Sequence, residues 1–399
     1  METNTEGARR VVAIDAIRGV VMVLMALDHV RDFVHRGAMS YSPTDLARTT
    51  TALFLTRWVT HICAPVFMFT AGMGAFLWWQ QSRTRQQLST FLLTRGFWLL
   101  VLELTVMRLA YNFDFSQRYP LLLLVLWALG ACMIGLAALV WLPLRALAVL
   151  SIAVVTLHNC LDHVTASQFG ASAGIWNLIH EAGAFRLAGA TVIVGYPLVP
   201  WIAVMALGFC FGRVFLMESS LRRRYLVVIG AASTLAFVVI RALNRYGDPV
   251  PWSTQSSVID TALSFLNTTK YPPSLAFLLM TLGPALLALA YFDLAELKPS
   301  NPLVVFGRVP LFFFVIHFYA AHATAVVLAW LRYGRASLTF AFHPVPSMGG
   351  PRELFPAGFG YDLWVVYVVW TLIGLGLYPA CRWFARIKGT RRDWWLSYL

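Results

Sequence analysis

Runs of apolar residues about 17–25 long recur from one end of this chain to the other, the length a helix needs to cross the hydrocarbon of a bilayer. Only 12% of the 399 residues are charged against 59% hydrophobic, too few to solvate a globular surface of this size. The expected fold is therefore all-α: a polytopic integral membrane bundle of about ten transmembrane helices. The spans read as roughly 12–35, 52–79, 89–110, 120–141, 144–161, 191–212, 225–243, 272–292, 303–331 and 361–382.

The net charge of +13 does not describe a nucleic-acid surface, because the arginines stand at the ends of apolar segments, where they orient a membrane protein. Arg83, Arg85, Arg145, Arg213, Arg222, Arg223, Arg224 and Lys298 share one side with Arg9–Arg10. So does the tail, with Arg382, Arg386, Lys388, Arg391 and Arg392. Positive-inside bias makes that side cytoplasmic, with both termini inside. Arg36, Arg48, Arg335 and Arg352 fall opposite, so the rule holds as a bias. Asp15 and Arg18 interrupt the first apolar run, which reads as an uncleaved span and not a signal peptide. The chain is one membrane domain, 1–399, with 1–10 and 383–399 as cytoplasmic ends. Lysine occurs only at Lys270, Lys298 and Lys388 among many arginines, pointing to a GC-rich bacterial genome and a plasma (inner) membrane.

The longer outer loops fall at 36–51, 162–190, 244–271 and 332–360. In the first, Ser42-Pro43-Thr44-Asp45 offers an N-cap, a proline and an acid, and is expected to open the second helix early. The last is rich in proline and glycine and reads as an irregular lid. Cys63, Cys132, Cys160, Cys210 and Cys381 show no CxxC and read as small buried hydrophobes. No HExxH or P-loop pattern occurs, and no metal is expected. Gly208-x-x-x-Gly212 fits close helix packing.

Charge appears where lipid should be. Apolar residues of the first span contribute about −0.4 kcal/mol each at a helix centre, whereas Asp15, Arg18 and Asp28 could each cost ~2.5–3.5 kcal/mol there. Such a helix has to face other helices or a wet cavity. Arg18 and His29 stand eleven positions apart, three turns plus about 20°, so both lie on one face about 16 Å apart along the axis. Asp15, Met22 and Met25 share that stripe. A phosphate-gripping cation near one surface is thus lined up with a proton-handling imidazole. The plainer alternative is an Asp15–Arg18 pair that only fixes the helix entry. Asp28 points about 100° away from His29 and is expected to serve another helix.

Glu103 lies mid-span between Arg95 and Arg108 and needs a partner or a proton. It either holds an imidazole in one tautomer or pairs with Arg108 across a helix turn. Arg57 and His61 are four apart, ahead of Pro65, which removes a backbone bond and bends the helix. His317 and His322 are five apart, about 140° round the helix, so they form no chelating pair. Arg308-Val309-Pro310 opens the ninth span from the cytoplasmic side and offers a second phosphate contact.

Together these residues carry a family resemblance. Arg10…Asp15-x-x-Arg18-Gly19…Met25…Asp28-His29 resembles the opening of the bacterial relatives of heparan-α-glucosaminide N-acetyltransferase. The likeness continues through Arg57-Trp58…His61-x-Cys63-Ala64-Pro65-Val66-Phe67, Arg95-Gly96…Glu103 and Tyr196-Pro197…Pro200-Trp201. Tyr271-Pro272-Pro273-Ser274-Leu275 and Phe306-Gly307-Arg308-Val309-Pro310-Leu311 extend it across nearly the whole chain. The Arg-x10-His spacing is also similar to the first helix of the type-three membrane acyltransferases, which acylate cell-surface glycans and use that histidine in catalysis. In the heparan enzyme an asparagine stands in place of His29, and the histidine regarded as catalytic falls in the following loop. The count from the matched motif reaches Ser40 there, and His35 is the nearest histidine without being aligned.

The resemblance implies a membrane acyltransferase that takes an acetyl or other short acyl group from cytoplasmic acetyl-CoA, or another acyl-CoA, and delivers it across the membrane. The acceptor would be a glycan or small polar molecule offering a hydroxyl or amine. On this reading Arg18 and Arg308 hold phosphates and the pantetheine arm follows the stripe from Asp15 to Met25. His29, tuned by Glu103 or Asp28, is the general base or itself accepts the acyl group. Arg57, His61 and His317 are the acceptor-binding candidates. Expected partners are the lipid bilayer, acyl-CoA and the acceptor, with no nucleic acid and with oligomerisation open. Two rival classes remain: a transporter or flippase of a polar metabolite, and a non-catalytic membrane partner in surface-polysaccharide biosynthesis. The lack of a visible internal repeat counts against the first.

Overall fold

A computed structural model describes residues 11–113, 119–295, 297–391, 393 and 396. Arg9, Arg10 and Arg392, which entered the orientation argument, lie outside the described residues. The chain runs through α1 (Val12–Val34), turns back through α2 (Thr51–Thr60) and α3 (Cys63–Trp79), and returns as α4 (Arg85–Leu102). A π-helical turn at Glu103–Met107 carries α4 into α5 (Arg108–Asn112). Then follow β1 (Leu121–Leu123), α6 (Val125–Leu139), α7 (Leu144–Leu157), α8 (Ala173–Ile179), β2 (Gly183–Leu187) and β3 (Ala190–Val194). The rest comprises α9 (Leu198–Phe211), α10 (Ser219–Leu243), α11 (Val258–Leu266) and α12 (Leu275–Leu294). It closes with α13 (Pro302–Arg308), α14 (Pro310–Tyr333) and α15 (Leu363–Thr390).

Among the described residues, eight helical segments are long and apolar enough to cross a membrane. Two further helices fall short for separate reasons. α1 has the length, 23 residues, but carries Asp15, Arg18, Asp28, Arg31 and Asp32. α6 is apolar but only 15 residues long. With these two the helical segments match the ten spans read from the sequence. The protein is an all-α polytopic membrane bundle.

Local chemistry explains where the helices start and stop. α2 and α3 are one apolar run broken at His61–Ile62, because Pro65 has no N–H for the His61 carbonyl and its ring crowds that turn. The break leaves His61 at a corner. The expected early start of the second helix is corrected. Ser42 Oγ accepts from the Thr44 N–H at 3.3 Å and Asp45 Oδ1 from the Ala47 N–H at 3.1 Å, local bonds that compete with a helix. The N-cap is Thr50, whose hydroxyl accepts from the Leu53 N–H at 3.2 Å. Nor is the run 120–141 helical throughout. Leu121–Leu123 pairs parallel with β3, which is antiparallel to β2, in a small sheet ordered β1-β3-β2. The span expected from 191 likewise begins as β3, and its helix starts only after Pro197.

Glycines let α1 sink into the centre. A Cβ at Gly19 would lie 1.8 Å from the Leu303 carbonyl oxygen, and one at Gly307 1.7 Å from the Asp15 carbonyl oxygen, so α1 and α13 meet backbone to backbone. Gly208 stands in the same relation to the Phe69 carbonyl at 2.0 Å, the close packing of α9 on α3 that the small-residue pattern implies. α1 is thereby surrounded by α3, α12, α13, α14 and α15, which keeps its charges out of lipid.

Candidate active site

His29 faces a chamber of ≈ 520 Å³ toward the C-terminal end of α1, the side that the arginine bias assigns to the exterior. Asp28, Arg57, His61, Lys270 and Tyr271 line the same chamber, and Ser347 and Met348 of the Pro/Gly-rich outer loop cover it. His29 Nδ1 lies 2.7 Å from Nε2 of His317 on α14. His317 Nδ1 lies 2.8 Å from the Phe313 carbonyl one turn back, and a carbonyl can only accept, so Nδ1 carries that ring's proton. For a neutral pair His317 Nε2 is then the acceptor, His29 Nδ1–H the donor, and the free lone pair of His29 falls on Nε2. The Phe318 ring, 3.9 Å from the His29 ring centre to centre, holds the imidazole in place. A second histidine sets the tautomer.

Asp28 turns away from His29. Its carboxylate pairs with Arg31 at 3.0 Å and with Arg57 of α2, and Arg31 reaches Asp32 at 2.6 Å. Arg57 also points a guanidinium nitrogen at the Tyr271 hydroxyl, 3.5 Å away. The Lys270 ammonium lies 5.2 Å from the Tyr271 ring centre. Burial pushes the Tyr271 phenol up, but Lys270 and Arg57 together outweigh it and hold the group below its ordinary range. Tyr196, whose ring centre lies 5.3 Å from that of Tyr271, is pushed well above its range by burial and by its phenol neighbour. His61 is 3% exposed, packs on Phe277, and its Nδ1 has no hydrogen-bond partner.

A second cavity, ≈ 280 Å³, lies toward the N-terminal end of α1 and is lined by Arg18, Arg95, Trp78 and Phe91 among others. Arg18 donates to the Thr70 hydroxyl at 3.1 Å and to the Thr70 carbonyl at 2.5 Å, which anchors the guanidinium to α3. Met25, Phe67, Val125 and Phe314 line both cavities. The arginine cavity and the imidazole chamber thus share these four apolar side chains as wall. Arg95 lines this cavity; in the sequence it stands as a helix-end charge and in the motif Arg95-Gly96…Glu103, not among the site candidates.

Several expected site residues stand elsewhere. Asp15 and Arg308 line neither cavity; Asp15 Oδ2 lies 3.7 Å from Arg308 Nε, and the pair ties α1 to α13. Glu103 does not meet His29. Its carboxylate accepts from the N–H groups of Leu124, Leu126 and Trp127 at 3.0–3.3 Å and from the Tyr111 hydroxyl at 3.3 Å. Those N–H groups open α6, where a helix start has orphan donors and favours negative charge. Tyr111, Leu124 and Val125 all line the outer chamber, so Glu103 holds its wall. His317 sits behind His29 and outside the chamber lining. His322 bonds the Ala110 carbonyl at 2.8 Å and stacks on Phe33 and Phe113, away from the pair. Ser40 and His35 border a neighbouring outer pocket of ≈ 370 Å³ that shares Arg31, Asp32 and Ser347 with the chamber.

A family model described as heparan-alpha-glucosaminide N-acetyltransferase, catalytic, matches residues 10–246. The matched stretch contains Arg18, Asp28, His29, Arg57, His61, Arg95 and Glu103, while Lys270, Arg308 and His317 lie beyond it. Comparison with curated proteins returned no match.

Proposed function

The chain belongs to the heparan-alpha-glucosaminide N-acetyltransferase catalytic family of membrane acetyltransferases, and on that premise we propose that it moves an acetyl or other short acyl group from cytoplasmic acyl-CoA to an acceptor entering from the outer face. The observation that carries this reading is the pair of abutting cavities. One presents Arg18 and Arg95, the other His29, and Met25, Phe67, Val125 and Phe314 line both. Guanidinium groups suit the phosphates of the donor, through charge-assisted bonds. The pantetheine arm would pass the shared apolar wall and bring the thioester carbonyl to His29.

His29 Nε2 then takes the proton of the acceptor's hydroxyl or amine as that atom bonds the thioester carbon. The adduct collapses with cleavage of the C–S bond, and the departing thiolate recovers the proton from His29. His317 accepts from His29 Nδ1–H throughout, keeping Nε2 free at the start and steadying the imidazolium once formed. Asp28 and Arg57 frame the chamber without touching the base. The rarity of lysine and the arginine-rich inner loops support a bacterial inner membrane as the site of this reaction.

The test uses the purified full chain in proteoliposomes with labelled acetyl-CoA and a panel of sugars, following thiol release and labelled product. Wild type should release thiol and form product, and His29→Ala should do neither while keeping its thermal transition. Full activity in His29→Ala would remove the base from the mechanism. Solute accumulation in the vesicles without any acyl donor would instead make the chain a transporter.

A further inference from the structure

The outer chamber is lined by three cations, Arg31, Arg57 and Lys270, against two carboxylates, Asp28 and Asp32. The arginines are already paired with those carboxylates. Lys270 is the surplus charge: among the described residues no carboxylate stands within 4.0 Å of its ammonium, and its neighbour is the Tyr271 ring. An ammonium half-buried at the outer end of a membrane bundle calls for a counter-ion. It lines the same chamber as His29, Asp28 and His61.

The loop that carries Lys270 is rigidly held. Asp248 accepts from the Thr269 N–H and hydroxyl, both at 2.9 Å, and from the Ser274 hydroxyl at 2.7 Å. Buried Arg241 donates to the carbonyls of Val250, Ser264, Phe265 and Asn267 at 2.8–3.1 Å. The ammonium is thus mounted on a fixed support, beside a buried His61 nitrogen that also lacks a partner.

We propose that Lys270 seats an anionic group of the acceptor, a carboxylate or a sulfate carried beside the reacting hydroxyl. The acceptor is then an acidic molecule, not a neutral sugar and not one of net positive charge, which the same surplus charge repels. A chamber of ≈ 520 Å³ admits something of sugar size. The assignment rests on the acyl-transfer reading for its chemistry, but the binding step can be measured apart from it.

Calorimetric titration of the detergent-solubilised full chain, carrying His29→Ala to stop turnover, compares methyl glucuronide, methyl glucoside 6-sulfate, methyl glucoside and methyl glucosaminide. At least one anionic probe should bind ten-fold or more tighter than the neutral glucoside, with the glucosaminide weakest. Lys270→Met should weaken the anionic probe by about 10–100-fold, the range of a lost charge-assisted bond. It should leave the neutral glucoside unchanged, and Lys270→Arg should keep most of the preference and report on folding. Equal binding of charged and neutral probes, or a Lys270→Met variant that keeps the preference, would overturn the assignment. Thiol release by the wild-type protein is followed alongside. A preference without thiol release for any acceptor supports the anion seat and counts against the acyl-transfer reading alone.

Discussion

His29 and His317 meet nitrogen to nitrogen at 2.7 Å although 288 residues separate them in the chain. Each ring fixes the proton on the other, and the Phe313 carbonyl fixes the direction of the whole relay. Replacing His317 by Phe removes the acceptor and frees His29 to place its proton on either nitrogen. The expected result is a kcat lowered by about 10²–10⁴-fold, the usual worth of a positioned general base, with KM for the donor little changed. His317→Gln keeps an amide oxygen able to accept Nδ1–H and should recover part of the rate. Thiol-release kinetics decide it, and a His317→Phe enzyme as fast as wild type would leave the pair without a catalytic part.

Asp28 is the keystone of a buried charge cluster, and the order of damage follows from its pairings. Asp28→Asn leaves Arg57 beside a neutral amide in place of its carboxylate, whereas Arg31 keeps Asp32. Uncompensated buried charge of this kind costs about 3–5 kcal/mol. Arg57→Met is expected to be milder, because Asp28 keeps Arg31 at 3.0 Å. The double variant should be more stable than Asp28→Asn alone. Thermal denaturation in detergent gives the ranking, and a double variant worse than the single would break the argument.

For Glu103 the sequence left two roles open, imidazole holder and ion-pair partner, and the structure uses it as the cap of α6. Hydrogen bonds to a charged acceptor are worth about 1.5–3 kcal/mol each when the charge is removed in place. Glu103→Gln keeps the shape and loses the charge, so it should lower the thermal midpoint while leaving the pH dependence of the remaining activity as in wild type. A displaced pH–rate profile at unchanged stability would restore the imidazole-tuning role.

The contrast shows what a one-dimensional reading can reach. Charge inside an apolar run is conspicuous by its position alone, and helical periodicity then assigns it a face. Arg18, Asp28 and His29 are found that way, as is the sideways aim of Asp28. Partners from distant segments leave no such trace: His317 is one of two histidines on α14, and nothing local distinguishes it from His322. Lys270 and Tyr271 sit in an outer loop where a charge is unremarkable, and only folding brings that loop over α1. Arg308 misleads because its motif is conspicuous while its side chain is engaged by Asp15. The strand at Leu121–Leu123 was hidden for a related reason, since three leucines read equally well as helix until β3 supplies a neighbour.

The depth at which Arg18 and His29 stand depends on the contact between α1 and α13, and glycine is what permits it. A methyl group at Gly307 would fall 1.7 Å from the Asp15 carbonyl oxygen, and one at Gly19 1.8 Å from that of Leu303. Both obstacles are backbone, so no side chain can swing aside and the helices themselves must part. Gly307→Ala should therefore cost far more than the ordinary helix-interior preference for alanine, about 1 kcal/mol, could return. Gly374 in α15 is the matched control, because a Cβ there meets nothing within 4 Å. Gly374→Ala should be neutral or slightly stabilising, whereas Gly307→Ala should lower the yield of folded protein and, in what survives, the rate of thiol release. Measured side by side by thermal denaturation in the same detergent, equal behaviour of the two variants would mean that α1 is not held at its depth by α13.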